Sequence, residues 1–250
     1  MRWFNKESRK LRTRAQRKRY FERLEDRRLL AADLLVDIDT SDSAITPDEG
    51  VVVSDIAYFP YTDEAGTELW RSDGTTAGTF RLADISPGGN YNSSYPRGFL
   101  AFDSGFVFDA DDASGSGLWY SDGTSAGTIK LADNELFLGA TEKAVVGSEL
   151  FFTKYDGSDG DYELWKTDGT VGGTVIVKND LFSSPQQLTG TNTALFFTYY
   201  DFGLGNELWT SNGTSAGTFL LKDITQDNGY TTSSDPEALV AVGNKLFFTA

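Results

Sequence analysis

Glu163-Leu-Trp-Lys-Thr-Asp-Gly-Thr170 has three counterparts in the same chain: Glu68-Leu-Trp-Arg-Ser-Asp-Gly-Thr75, Gly117-Leu-Trp-Tyr-Ser-Asp-Gly-Thr124 and Glu207-Leu-Trp-Thr-Ser-Asn-Gly-Thr214. Their tryptophans, Trp70, Trp119, Trp165 and Trp209, are spaced by 49, 46 and 44 residues, and each copy is followed by a second Gly-Thr at 78–79, 127–128, 173–174 and 217–218. A period of this size marks a repeat architecture, either a propeller or another array.

Around the motif each unit reads as four short strands. The a strands are aromatic and alternating: Ile56–Pro60, Phe106–Ala110, Leu150–Thr153, Leu195–Thr198 and Leu246–Thr249. The b strands carry Leu-Trp, whose side chains must point to opposite faces because strand periodicity is two. The c strands follow the second Gly-Thr, as in Phe80–Ile85 and Phe219–Ile224, and weaker d strands such as Leu239–Val242 turn through Gly243-Asn244 into the next a strand. No long helical period follows residue 50. Four antiparallel strands in about 45 residues match a propeller blade. The expected fold is therefore all-β, a β-propeller-like array of four-stranded antiparallel blades, with a β-sandwich pair or an open β array as runner-up. Five a strands against four b–c hairpins, and a last a strand at the end of the sequence, give the expectation of an incomplete ring cut short at its C-terminus, with a closed four-bladed ring as the alternative.

Charge divides the chain differently. Residues 1–28 hold 12 of the 22 Lys/Arg but only 4 of the 37 Asp/Glu, which leaves the remainder strongly acidic. An acidic body repels nucleic acid and anionic membranes. Three readings fit the basic segment 1–32: a basic helix for RNA or lipid, a solvated tail, or a targeting segment with positive charge ahead of Leu29, Leu30, Ala31 and Ala32. Residues 33–50 read as an acidic linker and 51–250 as the repeat domain. With no Cys and no His, the chain lacks disulfides, Cys/His zinc sites and imidazole or thiolate catalysis.

Two resemblances bear on these residues. The run Phe21–Ala32 resembles the N-terminal motif of many large surface and secreted proteins of planctomycete-type bacteria, with Leu24, Glu25, Arg27, Leu29 and Leu30 at the matching places. That implies export, with removal near Ala31–Ala32, and a secreted or cell-surface location without a transmembrane span. Residues 50–250 resemble the bacterial ELWxxDGT repeat family of large extracellular proteins, which implies a propeller-like fold and brings no established activity.

Within the motif, Asp-Gly supplies a turn in which Gly tolerates positive φ and the carboxylate accepts loop N–H groups. Trp70, Asp73, Gly74, Trp119, Asp122, Gly123, Trp165, Asp168, Gly169, Trp209, Asn212 and Gly213 are thus expected to be scaffold. Asn212 keeps the acceptor without the charge, which suits a brace and not an acid or hard-metal ligand.

Alternation sorts the loops into two ends. The a–b and c–d loops share the end opposite the b–c turns and carry Asp63, Glu64, Asp109, Asp111, Asp112 and Asp201, with Tyr91, Asn92, Tyr95, Asn228 and Tyr230 in the c–d loops. Asp156, Asp159 and Asp161 form the sharpest candidate there, a Ca2+ site of hard oxygens short of a full EF-hand loop. The functional expectation is a non-enzymatic extracellular module, structural or binding a protein or carbohydrate. The alternatives are a calcium-stabilised adhesion module and a glycan-processing, sialidase-like propeller. For the last, Arg71, Arg81 and Arg97 are the only arginines after residue 30 and all lie in the first repeat.

Overall fold

A computed structural model describes residues 50–88, 93–133, 142–224 and 233–250. The basic segment, all but the last residue of the linker, and Tyr91, Asn92, Asn228 and Tyr230 lie outside the described residues. Where described, the chain is all strand, turn and loop. The first sheet holds β1 (Val51–Val53), β2 (Ile56–Asp63), β3 (Gly66–Ser72) and β4 (Phe80–Ala83). The second holds β5 (Arg97–Phe102), β6 (Gly105–Asp112), β7 (Gly115–Ser121) and β8 (Thr128–Asp133). The third holds β9 (Lys143–Val146), β10 (Glu149–Asp156), β11 (Asp161–Thr167) and β12 (Val175–Leu181). The fourth holds β13 (Gln186–Gly190), β14 (Leu195–Asp201), β15 (Gly205–Ser211) and β16 (Thr218–Lys222), and a fifth has only β17 (Glu237–Val242) and β18 (Lys245–Thr249). Each sheet is an antiparallel meander in sequence order, and together they form an open, propeller-like array of blades.

Each blade opens on the short d strand and ends on the c strand. First strands of neighbouring blades lie against one another, β1 on β5, β9 on β13 and β13 on β17. The a strands run further than their apolar alternation predicts, to Asp63, Asp112, Asp156 and Asp201, because tight turns let the a–b hairpins pair to their ends: Asp63 with Gly66, Asp112 with Gly115, Asp156 with Asp161 and Asp201 with Gly205. Register is the same in every blade, with Phe59, Phe108, Phe152 and Phe197 opposite Trp70, Trp119, Trp165 and Trp209. Each b–c pairing also shifts register between the Leu and the Trp of the motif or immediately before them. Such a bulge locally increases the twist of the strand.

The core lies between sheets, in three clusters. Leu69 of the first blade packs with Phe106 and Phe108 of the second, and Trp119 joins them from the second blade's near side. Leu118 packs forward with Leu150 and Phe152, joined by Trp165. Leu164 packs forward with Leu195 and Phe197, joined by Trp209. Within the motif, Leu therefore faces the following blade and Trp the preceding one, as strand alternation requires. Phe106, Phe108, Phe151, Phe152 and Phe197 are all fully buried. Each contributes on the order of 2–3 kcal/mol of apolar burial.

Polar fasteners cross the same boundaries. Glu68, fully buried in β3, accepts the Ile85 N–H at 2.8 Å, the Ser94 N–H at 3.2 Å and the Ser94 hydroxyl at 2.7 Å. Thr67 N–H donates to Ser93 Oγ at 2.9 Å. Between the fourth and fifth blades, Glu207 accepts the Ser234 N–H at 2.8 Å and its hydroxyl, while Asn206 N–H donates to Ser233 Oγ at 2.9 Å. Burial raises the Glu68 carboxyl above its ordinary value, against the opposing pull of the Ser94 and Ile85 hydrogen bonds. The second blade has Gly117 at this position, and its bond to the third is an ion pair between Asp109 and Lys143, both nearly fully buried.

Removing one side of such a latch leaves buried donors unsatisfied. Glu207→Ala is expected to destabilise the chain by about 2 kcal/mol, read as a fall in urea midpoint. In a double-mutant cycle Ser234→Ala should couple to it by about 1 kcal/mol, whereas Glu68→Ala, two boundaries or more away, should add independently.

Candidate functional site

The two ends of the blades differ in chemistry. At the b–c end the motif forms one turn four times. Asp73 Oδ1 accepts the Thr75 N–H at 3.0 Å and the Thr75 hydroxyl at 2.7 Å, and Thr75 Oγ1 in turn accepts the Gly78 N–H at 2.9 Å. Ser72 Oγ accepts the Gly74 N–H at 3.1 Å and pairs with Thr79 Oγ1 at 2.6 Å. Asp122, Asp168 and Asn212 repeat the arrangement with Thr124, Thr170 and Thr214, and Asn212 Oδ1 holds its two donors at 3.1 and 2.8 Å. Two glycines make the turn accessible. Gly74 stands at φ 84°, and a Cβ on Gly78 would sit 1.9 Å from Asp73 Oδ1, in the space the carboxylate fills. The Ser or Thr hydroxyls and one side-chain oxygen of the Asp or Asn are thus engaged within the turn itself. Of the tryptophans, Trp119 Nε1 donates to the Ala110 carbonyl at 3.3 Å and Trp165 Nε1 to Glu163 at 2.8 Å.

At the a–b end, the last residue of the a strand in each of the four complete blades is an Asp that closes its own turn. Asp63 Oδ1 accepts the Ala65 N–H at 2.7 Å, Asp112 that of Ser114 at 2.8 Å, Asp156 that of Ser158 at 2.9 Å and Asp201 that of Gly203 at 2.8 Å. Hydrogen bonds from Ser158 hold the Asp156 carboxyl below its ordinary value. Asp156 braces this turn, as does Asp159, whose Oδ1 accepts the Asp161 N–H at 3.0 Å, and the carboxylate that lies with those of Asp159 and Asp161 is Asp180. One oxygen of each of Asp159, Asp161 and Asp180 lies within 4.8 Å of the others. Asp180 reaches them from β12, where a bulge between the Tyr162–Leu181 and Leu164–Lys178 pairs adds a residue and Asp180 takes a left-handed φ of 56°. Sequence spacing could not place it, because the contact depends on that bulge.

In the first and second blades several carboxylates of this end are matched by cations. Arg97 pairs with Asp111 at 3.0 Å, Lys130 with Asp112 at 3.0 Å and with Asp133 at 2.6 Å, and Arg81 lies 3.9 Å from Asp63 and 3.8 Å from Asp84. Arg71 lies over the Phe80 ring at 5.2 Å. The three arginines are thus engaged separately and form no shared anion cradle. Asp109, which alternation assigns to the acidic loop, is inside β6, 4% exposed and paired with Lys143. None of Asp159, Asp161 and Asp180 has an ion-pair partner among the described residues. Three closely spaced carboxylates supply hard oxygens, about half of the six to eight that Ca2+ takes.

The buried Glu68, Glu207, Ser94 and Ser234 were not visible as a group in the motif alone. Their signal is a second repeat, Ser93-Ser94-Tyr95-Pro96 and Ser233-Ser234-Asp235-Pro236, in which Tyr95 and Asp235 share left-handed φ values of 44° and 43°.

No family model matches the chain, and no curated protein matches it. Solved structures similar to it include a puromycin hydrolase mutant, 12% identical over 66% of this chain and 28% of that one at a TM-score of 0.46. A chain of a nidogen–laminin complex is 15% identical over 81% of this chain and 69% of that one, at 0.42. Regucalcin, a calcium-binding protein from Agrobacterium tumefaciens, is 15% identical over 70% of this chain and 58% of that one, at 0.38. The chain spans just over a quarter of the hydrolase chain's length, and no activity passes to it from these likenesses. Among the described residues no helix is long and apolar enough to cross a membrane.

Threonine hydrogen bonds hold the Asp73 and Asp168 carboxyls below their ordinary value. A folded value below the unfolded one means that the charged form stabilises the turn, fully above the unfolded value and progressively less as pH falls through the folded one. Replacing both by Asn, the residue already present at 212, should leave thermal stability at neutral pH nearly unchanged. The loss of melting temperature below about pH 4 should then be shallower than in the wild-type chain.

Proposed function

We propose that the chain is a non-enzymatic extracellular or cell-surface repeat module of the ELWxxDGT type, structural or ligand-binding. The observation that carries this reading is the fourfold turn: its Asp or Asn, Thr, Ser and Gly residues brace one another locally, which supports a repeated motif that builds blades. Function then falls to the a–b and c–d end, where blades differ in charge and side chain. An acidic, cation-matched surface fits a protein or carbohydrate partner and disfavours nucleic acid. Export is supported by Leu24, Glu25, Arg27, Leu29 and Leu30. Fractionation of the tagged full chain is expected to place it outside the cytoplasm, and a chain lacking residues 1–32 inside. Equal distribution of the two would sink the export reading.

A second reading has its own observation, the unpaired triad Asp159, Asp161 and Asp180. On this reading Ca2+ bound at the third blade stabilises the module. At tenfold excess over its dissociation constant Ca2+ would add about 1.4 kcal/mol of stability. Melting temperature should rise with Ca2+ and much less with Mg2+, which demands tighter octahedral geometry. Asp180→Asn should abolish the rise and Asp156→Asn should largely keep it. An unchanged melting temperature in Ca2+ would remove this reading and leave the first intact.

A further inference from the structure

The boundary between the third and fourth blades carries an aromatic cluster on its outer surface. Phe182, in the loop after β12, has its ring centroid 3.9 Å from that of Phe202, and Tyr200 meets Phe202 at 6.1 Å, nearly edge-on at 76°. All three are exposed, Phe182 by 53%, Tyr200 by 44% and Phe202 by 64%. Phe202 follows the Asp that closes the a–b turn, where the other complete blades have Glu64, Ala113 and Gly157. Those residues are exposed as well, each with a complete blade following it, so exposure belongs to this turn position in every blade. The phenylalanine is what sets the fourth blade apart.

The cluster is fastened in place. The Phe182 N–H donates to the Tyr199 hydroxyl at 3.2 Å and the Ser183 hydroxyl to the Tyr200 carbonyl at 3.0 Å, which tie the loop leaving the third blade to β14 of the fourth. Tyr199 is itself buried and packs edge-on against Trp209 at 5.2 Å. Apolar rings held together in water forgo the gain of burial, and a fixed patch of this kind marks a contact surface. Its surroundings are acidic. Asp180 lies two residues before Phe182, and Asp201 lies between Tyr200 and Phe202. Burial raises the Tyr199 hydroxyl above its ordinary value, and the charges of Asp201 and Asp161 push the same way, so both carboxylates stand close to this boundary. None of Asp161, Asp180 and Asp201 has an ion-pair partner among the described residues.

We propose that this boundary binds an arginine side chain of a partner protein, with the guanidinium stacked on the Phe182–Phe202 cluster and forked toward Asp180 and Asp161. Charge complementarity selects the occupant. Aromatic faces and carboxylates both attract positive charge, and a guanidinium is the cation that lies flat on a ring while its edge meets a carboxylate. Rings inclined at 45° and 76° to one another give no flat platform for a sugar, whereas a guanidinium needs one ring face and the carboxylate beside it. This inference rests on the reading that the a–b and c–d end takes a ligand, and it names that ligand as a basic protein segment.

The test uses the full chain and short labelled peptides in which Gly alternates with Arg, Lys or Gln. Ca2+-free buffer is used, because Ca2+ at Asp180 competes for the same carboxylate. Fluorescence anisotropy should show saturable binding of the Arg peptide, weaker binding of the Lys peptide and none of the Gln peptide. Replacing Phe182 and Phe202 together by Ser alters no charge and should lower affinity for the Arg peptide by about tenfold. The melting temperature should stay unchanged, since neither ring belongs to a core cluster. Asp180→Asn should also weaken binding, whereas Glu64→Gln, the same loss of charge on the first blade, should change it by less than about twofold. Equal binding by the double Ser variant would overturn the proposal and assign the affinity to the general acidity of the body. Binding of cellohexaose in place of the Arg peptide, lost in the double variant, would overturn it in favour of a glycan face. Binding of the Arg peptide only by a chain lacking residues 1–32 would give the face to the chain's own basic segment. An exported chain that binds no Arg peptide would remove this inference alone and leave the surface-module reading standing.

Discussion

Adjacent residues on a β-strand face opposite ways, and in this chain both residues of the pair are large and apolar. Leu69, Leu118 and Leu164 each turn toward the blade that follows, while Trp119, Trp165 and Trp209 each turn toward the blade before. A sheet built on such a strand cannot be satisfied by one neighbour. It needs a sheet against each face, so a single blade has no stable form alone and the units must stack in series. The a strands obey the same constraint: Val107 faces the third blade while Phe106 and Phe108 face the first. The core is thus a chain of interfaces and not one central mass.

Apolar burial brings the sheets together without fixing how they sit, because it has no direction. Direction comes from buried polar groups. Glu68 and Glu207 tie a b strand to the first residues of the chain entering the next blade, and a displacement of the blade would leave their donors unsatisfied in a dry interior. The second and third blades use a different device, Asp109 with Lys143, and the change is compatible with the change of sequence there, since Gly117 replaces the glutamate and the Lys130 side chain lies in the space its Cβ would enter. One geometry is held by two chemistries.

Repeat period, strand order within a blade and the local bracing of the Asp-Gly turn were legible from the repeat, because they depend on periodicity and on turn chemistry that four copies display side by side. Asn212 made the turn readable: a position that accepts loss of charge with its acceptor kept is a hydrogen-bond position. The acidic end was less legible. Sequence groups Asp156 with Asp159 and Asp161 by proximity; in the structure Asp156 closes its own hairpin, as Asp63, Asp112 and Asp201 do, and Asp180 lies with the other two. Asp180, 19 residues further along than Asp161, enters through a bulge that no strand pattern announces. The glutamate latch escaped notice because its serines lie in another part of the repeat, and proximity in space came only with the packing of one blade on the next.

The contrast between the two ends follows from how each spends its charge. At the b–c end one side-chain oxygen of Asp73, Asp122, Asp168 or Asn212 accepts the threonine hydroxyl and backbone N–H of its own turn, so the four turns are alike. At the a–b end each of the four complete blades spends an Asp on the turn, the third blade two, Asp156 and Asp159, and the remaining charges differ by blade. In the first and second blades Arg81, Arg97 and Lys130 supply the balancing cation from the protein itself. In the third, Asp159, Asp161 and Asp180 crowd together with no such cation among the described residues. Like charges at this spacing repel one another, and positive charge shared between them, from solvent counter-ions or from the divalent ion proposed above, relieves that repulsion while leaving the blade's hairpins as they are.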